Sequence, residues 1–146
     1  MFDKVLVAVD LELEPARSVL ERALALRPGE VWVAHVVEPQ YVQYSIDPTF
    51  TGSITHAMEE DAVRATRKRL DEICHGSSIA GDHRLVRLGR AADTIHELAR
   101  EVGADTIIIG SHARKGIGRL LGSTANAVLH NAPMNVMTIR LNGEDA

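Results

Sequence analysis

Between Gly110 and Thr124 the chain reads Gly-Ser-His-Ala-Arg-Lys-Gly-Ile-Gly-Arg-Leu-Leu-Gly-Ser-Thr. Glycines let a backbone come close to an anion and adopt positive φ. Gly122-Ser123-Thr124 leads into a helical pattern, whose free amides and dipole favour a phosphate. The Ser123 and Thr124 hydroxyls add donors, and Arg114, Lys115 and Arg119 bring positive charge into a net-negative chain. A serine before a helix is also an ordinary N-cap, and basic loop residues are ordinarily solvated. The coincidence of a strand end, a glycine loop and a helix start favours an anion cradle. Two better-known phosphate loops do not fit: Lys115-Gly116 has the wrong order for Gly-x-x-x-x-Gly-Lys-Ser/Thr, and Gly116-Ile-Gly118 lacks the third small residue of a dinucleotide fingerprint. Asp10, at the end of the first apolar run, is the carboxylate placed for metal or base work, and His112 is the histidine placed in the loop. No second carboxylate or nucleophile is paired with Asp10 by spacing, so a binding protein is expected rather than an enzyme.

These residues need a frame. Lys4 to Val9 is a short apolar run ended by Asp10, the pattern of a strand buried on both faces. From Glu14 to Leu26 the period becomes helical, with Ala16, Val19, Leu20, Ala23 and Leu24 on one stripe, Pro15 in the first turn and Pro28-Gly29 as the stop. Val31 to Val37 reads as a second strand, and Glu38 to Thr55 as a long connection with Pro39, Pro48 and Gly52. A helix over Met58 to Ile73, a strand over His83 to Leu88 and a helix over Ala91 to Val102 follow, with Gly103 at the helix end. Asp105 to Ile109 is a fourth strand, with Gly110 ending it and opening the loop. Ser123 to His130 is a helix, and Val136 to Leu141 a fifth strand. Strands alternating with helices predict an α/β fold, one parallel sheet with helices on both faces, in a single domain over residues 1–146. In such sheets ligands bind beyond the carboxyl ends of the strands at the switch of strand order, where Asp10, Val36 and Gly110 all fall.

Composition narrows the function. Hydrophobic residues make up 45% of the 146, with 25% charged and 3% aromatic, which suits an aliphatic core around a parallel sheet. A formal charge of -4 supplies no global attraction to nucleic acid or an anionic membrane. No apolar run spans a bilayer and no secretory leader pattern opens the chain, so a cytoplasmic protein is expected. Cys74 is the lone cysteine, and the seven histidines show no metal-ligand spacing. His35 is expected to pack inward from its strand. Arg64, Arg67, Lys68 and Arg69 sit among Glu59, Glu60, Asp61, Asp71 and Glu72, which reads as a solvated helix face.

Nearly the whole chain resembles the universal stress proteins. The resemblance is carried by Lys4-Val-Leu-Val-Ala-Val-Asp10, His35-Val36, Gly89, Ala104-Asp-Thr-Ile-Ile-Ile-Gly-Ser-His112, Leu120-Leu-Gly-Ser-Thr-Ala-Asn-Ala-Val-Leu-His130 and Ala132-Pro133. It implies an adenine-nucleotide-α-hydrolase-like sheet of five parallel strands in the order 3-2-1-4-5. It also implies a homodimer joined through the last strand, at Val136, Met137, Thr138, Ile139 and Arg140. An apolar edge strand is a physically reasonable place for such pairing. Nucleotide-binding members of the family imply ATP or ADP, with Mg as its counter-ion. Asp10 then lies near the ribose, phosphates or metal, the Val36 backbone near the adenine, and Gly110, His112, Gly122, Ser123 and Thr124 around the ribose and phosphates. The motif of such members is Gly-x-x-Gly, nine residues, then Gly-Ser/Thr. This chain has Ala113 at the second glycine and eight residues between it and Gly122. Two functions therefore stand open: a stress-response regulator that binds an adenine nucleotide, or a dimeric interaction module that binds none.

Overall fold

The computed structural model describes residues 2–10, 13–39, 55–112 and 123–141. The connection over 40–54, the loop over 113–122 and the tail over 142–146 lie outside them. Five strands form one sheet: β1 (Lys4–Ala8), β2 (Glu30–Val37), β3 (Arg84–Leu88), β4 (Thr106–His112) and β5 (Asn135–Leu141). Their spatial order is β3-β2-β1-β4-β5, and every neighbouring pair is parallel. Among the described residues, four longer helices lie between the strands: α1 (Leu13–Ala25), α2 (His56–Ile73), α3 (Ala91–Val102) and α4 (Ser123–Leu129).

Alternation along the strands sends side chains to two cores. Val5, Val7, Val9, Val33, Ile108 and Ile139 meet Ala16, Val19, Leu20 and Ala23 of α1 and Leu70 and Ile73 of α2. Leu6, Ala8, Ala34, Val36, Ile107 and Ile109 meet Ile95, Leu98 and Ala99 of α3 and Ala125 and Val128 of α4. Val5, Leu6 and Val7 are completely shielded from solvent, as a central strand covered on both faces must be.

Local chemistry sets the ends. Thr55 Oγ1 accepts from the Met58 amide at 3.2 Å, so α2 starts at His56, two residues before the Met58 that opens its apolar stripe. Gly103 (φ 74°) ends α3 in the left-handed conformation, with its amide bonded back into the last turn. His83 belongs to a 3₁₀ turn over Gly81–His83 rather than to β3. Its amide closes the turn on Ala80 and its ring stacks on Trp32 at 3.9 Å. β4 does not stop at Ile109. Gly110, Ser111 and His112 continue it, because β5 runs alongside and pairs them with Ile139, Arg140 and Leu141. Gly110 is therefore a strand residue and does not open the loop.

The amino end of the sheet is tied by one carboxylate. Asp105 accepts from the Lys4 amide (2.9 Å), the Phe2 amide (3.2 Å) and the Thr106 hydroxyl (2.7 Å). The Lys4 amide first, then the Thr106 hydroxyl, hold its carboxyl below the ordinary value of 3.8. A carboxyl with a lowered native pKa stabilises the fold above its unfolded value, and that contribution is lost as pH falls through the native value. Asp105→Ala should cost about 1 kcal/mol at pH 7, a modest figure because the site is half-exposed. In urea unfolding, the gap to the wild type should narrow steadily as pH drops below 4.

Gly110 is demanded by packing. A Cβ there would stand 2.6 Å from Val19 Cγ2, and Val19 is buried and β-branched, so it has little room to turn away. Gly110→Ala should destabilise by about 1–3 kcal/mol in urea unfolding. Combined with Val19→Ala, the total loss should be smaller than the sum of the two single losses, because the second change vacates the clash.

Candidate functional site

The strand order turns at β1. From β1 the chain goes outward through β2 to β3, then returns to the other side of β1 as β4 and continues to β5. Open α/β sheets bind their ligands beyond the carboxyl ends of the strands at such a reversal, which here falls between β1 and β4. Ala8 lies opposite Ile109 in the register, so Asp10 leaves the sheet beside the Gly110–His112 extension of β4. Asp10 is exposed, Gly110 half-buried and Ser111 buried. On the other flank of β1, Val36 stands near the end of β2 with its side chain in the α3-side core. Ser123 and Thr124 are exposed at the start of α4. The fold thus brings Asp10, Val36, Gly110, Ser123 and Thr124 to one end of the sheet. Ala113, Gly122 and the spacing between them lie outside the described residues, as does the His112 side chain.

Three further side chains make contacts between elements, and the sequence setting of His35 and Glu38 hides theirs. His35 directs Nδ1 at the Val9 carbonyl oxygen, 2.7 Å away. A carbonyl only accepts, so Nδ1 carries the hydrogen. Glu38 Oε1 accepts from the Ala91 amide at 3.1 Å, at the start of α3. The residue capping α3 is Arg90, which offers no side-chain acceptor, so the helix takes its carboxylate from the end of the neighbouring strand. His96 is buried and its Nε2 donates to the Val128 carbonyl at 2.6 Å, which ties the last turn of α4 to α3. The spacing Ala92, His96, Ala99 was the available signal: i, i+4 and i+7 put this histidine on the buried stripe of α3.

Other residues singled out in the sequence lie elsewhere. Cys74 is buried at the end of α2, and burial pushes its thiol pKa up, which makes it a poor nucleophile. On the basic stretch of α2, Arg67 pairs with Asp71, and Arg64 with Asp61, as a solvated face would. Among the described residues no group of three His, Cys, Asp or Glu side chains could hold a metal ion. No helix among them is long and apolar enough to cross a membrane.

β5 forms one edge of the sheet. The Asn135 amide donates to the Asp105 carbonyl, so the backbone groups of residues 135, 137, 139 and 141 turn toward β4, and those of 136, 138 and 140 turn to the open edge. Arg22 Nη1 donates to the outward carbonyl of Arg140 at 2.9 Å. Of the five residues assigned to a dimer edge, Ile139 packs its side chain into the core of its own chain, while Thr138 and Arg140 are exposed and Val136 and Met137 half-buried.

Comparison with known proteins agrees with this architecture. The family model described as the universal stress protein family matches residues 1–140. Universal stress protein A homolog 2 of Coxiella burnetii is 36% identical over 145 residues, covering 97% of each chain. The solved universal stress protein from Archaeoglobus fulgidus is 25% identical, superimposes with a TM-score of 0.61 and covers 93% of this chain and 92% of that one. A universal stress protein solved in complex with cAMP shares the fold at 21% identity, with a TM-score of 0.53 over 94% of this chain and 96% of that one. With the family model matching residues 1–140 and a relative 36% identical over 97% of each chain, this chain belongs to the universal stress protein family.

Proposed function

We propose that the protein is a stress-response regulator that binds an adenine nucleotide, ATP or ADP, in the crevice between β1 and β4, and that it binds rather than turns over its ligand. What supports this proposal is that Asp10, just past the end of β1, and the first residues of α4 fall at the same end of the sheet, at the switch of strand order. An exposed carboxylate there suits a ribose hydroxyl pair or a metal ion on a polyphosphate, and exposed hydroxyls at Ser123 and Thr124 suit phosphate oxygens. Val36 flanks the crevice on the β2 side, where an adenine ring would lie against its backbone. Gly110, His112 and Gly122 complete the set. Magnesium, if carried in by the nucleotide, would shield the phosphates from Asp10. The family member solved in complex with cAMP supports an adenine nucleotide as the ligand class. A second function, an interaction module without nucleotide, is favoured by Ala113 at a glycine position of the binding motif.

Titration calorimetry with magnesium ATP decides between them. A Kd in the micromolar range, about −8 kcal/mol, is expected for the wild type and its loss for Gly122→Asp, which sets a carboxylate among phosphates. Absence of heat at millimolar ATP would leave the interaction module.

We further propose that two copies pair through β5, in the cytoplasm. The outward N–H of Thr138 lies at the middle of the open edge. Thr138→Pro removes that donor and leaves the β4 ladder untouched, because residue 138 turns its backbone away from β4. Light scattering should give twice the chain mass for the wild type and a single chain mass for Thr138→Pro. A wild-type monomer would overturn the dimer.

A further inference from the structure

We propose that His35 is a positioning residue for the crevice, and that its imidazole fixes the peptide that carries Asp10 into the site; this rests on the nucleotide-binding function above. β1 ends at Ala8, and the next residue makes two contacts with β2. The Val9 amide donates to the Ala34 carbonyl at 3.0 Å. The Val9 carbonyl accepts from His35 Nδ1 at 2.7 Å. That carbonyl and the Asp10 amide belong to one planar peptide unit. Rotation about ψ of Val9 swings both together, so the His35 contact sets the direction in which Asp10 leaves the strand. His35 is itself held, because its backbone lies inside the β2–β3 pairing opposite Val86. The side chain on the adjoining strand thereby extends the backbone ladder by one peptide, up to the carboxylate that meets the ligand. Asn offers a donor nitrogen on Cγ, as His does at Nδ1, and should serve in its place; Leu offers none.

A double-mutant cycle tests this. Magnesium ATP is titrated into the wild type, His35→Leu, His35→Asn, Asp10→Asn and the His35→Leu/Asp10→Asn pair. His35→Leu should weaken binding about tenfold, the scale of one well-placed polar contact, and His35→Asn should restore most of it. In the Asp10→Asn background, His35→Leu should change nothing further, because the group it positions has gone. A purely structural His35 would lower affinity by the same factor in both backgrounds, and that result overturns the proposal. Equal losses for His35→Asn and His35→Leu overturn it as well. Should His35→Leu not fold, His35→Phe keeps a ring without the donor and takes its place. A wild type that binds no nucleotide ends the binding function and this proposal together, by a result distinct from additivity in the cycle.

Discussion

β1 has no solvent face, and most of the architecture follows from covering it. Its interior residues bury completely on both sides, so helices must lie above and below, and strands must flank it left and right. Parallel neighbours on both edges require crossover connections, and right-handed crossovers place α1 and α2 on one face and α3 and α4 on the other. Having β2 on one side and β4 on the other also makes the chain change direction at β1. The reversal of strand order beyond its carboxyl end, where open α/β sheets bind ligands, is therefore a by-product of burying a strand.

The two ends of the sheet are finished differently. At the amino end, Asp105 gathers the Phe2 and Lys4 amides and the Thr106 hydroxyl into one clamp, and Lys4 also pairs with Glu30 of β2 at 3.4 Å. These contacts join the first strand to its neighbours and hold it in register. At the carboxyl end, contacts run from side chain to backbone across elements: His35 to Val9 and Glu38 to Ala91. The first orients the peptide that precedes Asp10, and the second holds the start of α3.

Gly110 shows how a packing demand and a binding motif coincide in one residue. Its lack of a side chain admits Val19, so α1 can lie close on the sheet. The same closeness lays the middle of α1 against β4. A glycine at this position therefore follows from helix–sheet distance alone, whether or not a ligand approaches. Glu38 makes a related point in charge. A carboxylate already sits at the start of α3, so an anionic ligand would find that helix end satisfied and would turn to the β1–β4 side.

Periodicity alone settled the element types: apolar runs of five to eight residues for the strands, i, i+3, i+4 stripes for the helices, and glycine or proline at their ends. Family motifs spread along the chain settled the strand order. The placement of Asp10 and Val36 near strand ends and of Ser123 and Thr124 at a helix start was also legible, because strand ends and helix starts are local events. What the sequence did not carry is every contact between residues far apart in the chain. The extension of β4 to His112 depends on β5 running beside it, more than twenty residues later. Gly110 reads as a loop glycine until α1 is laid on the sheet and Val19 meets it. His35 looks like one more inward-facing strand residue until β1 brings the Val9 carbonyl within reach, and Glu38 like a loop acid until α3 docks its amides there. Local pattern is set by neighbours three or four residues away, and a single sequence displays it. Hydrogen bonds across elements depend on which strands lie side by side and in what register, and that is decided only when the two cores close around β1.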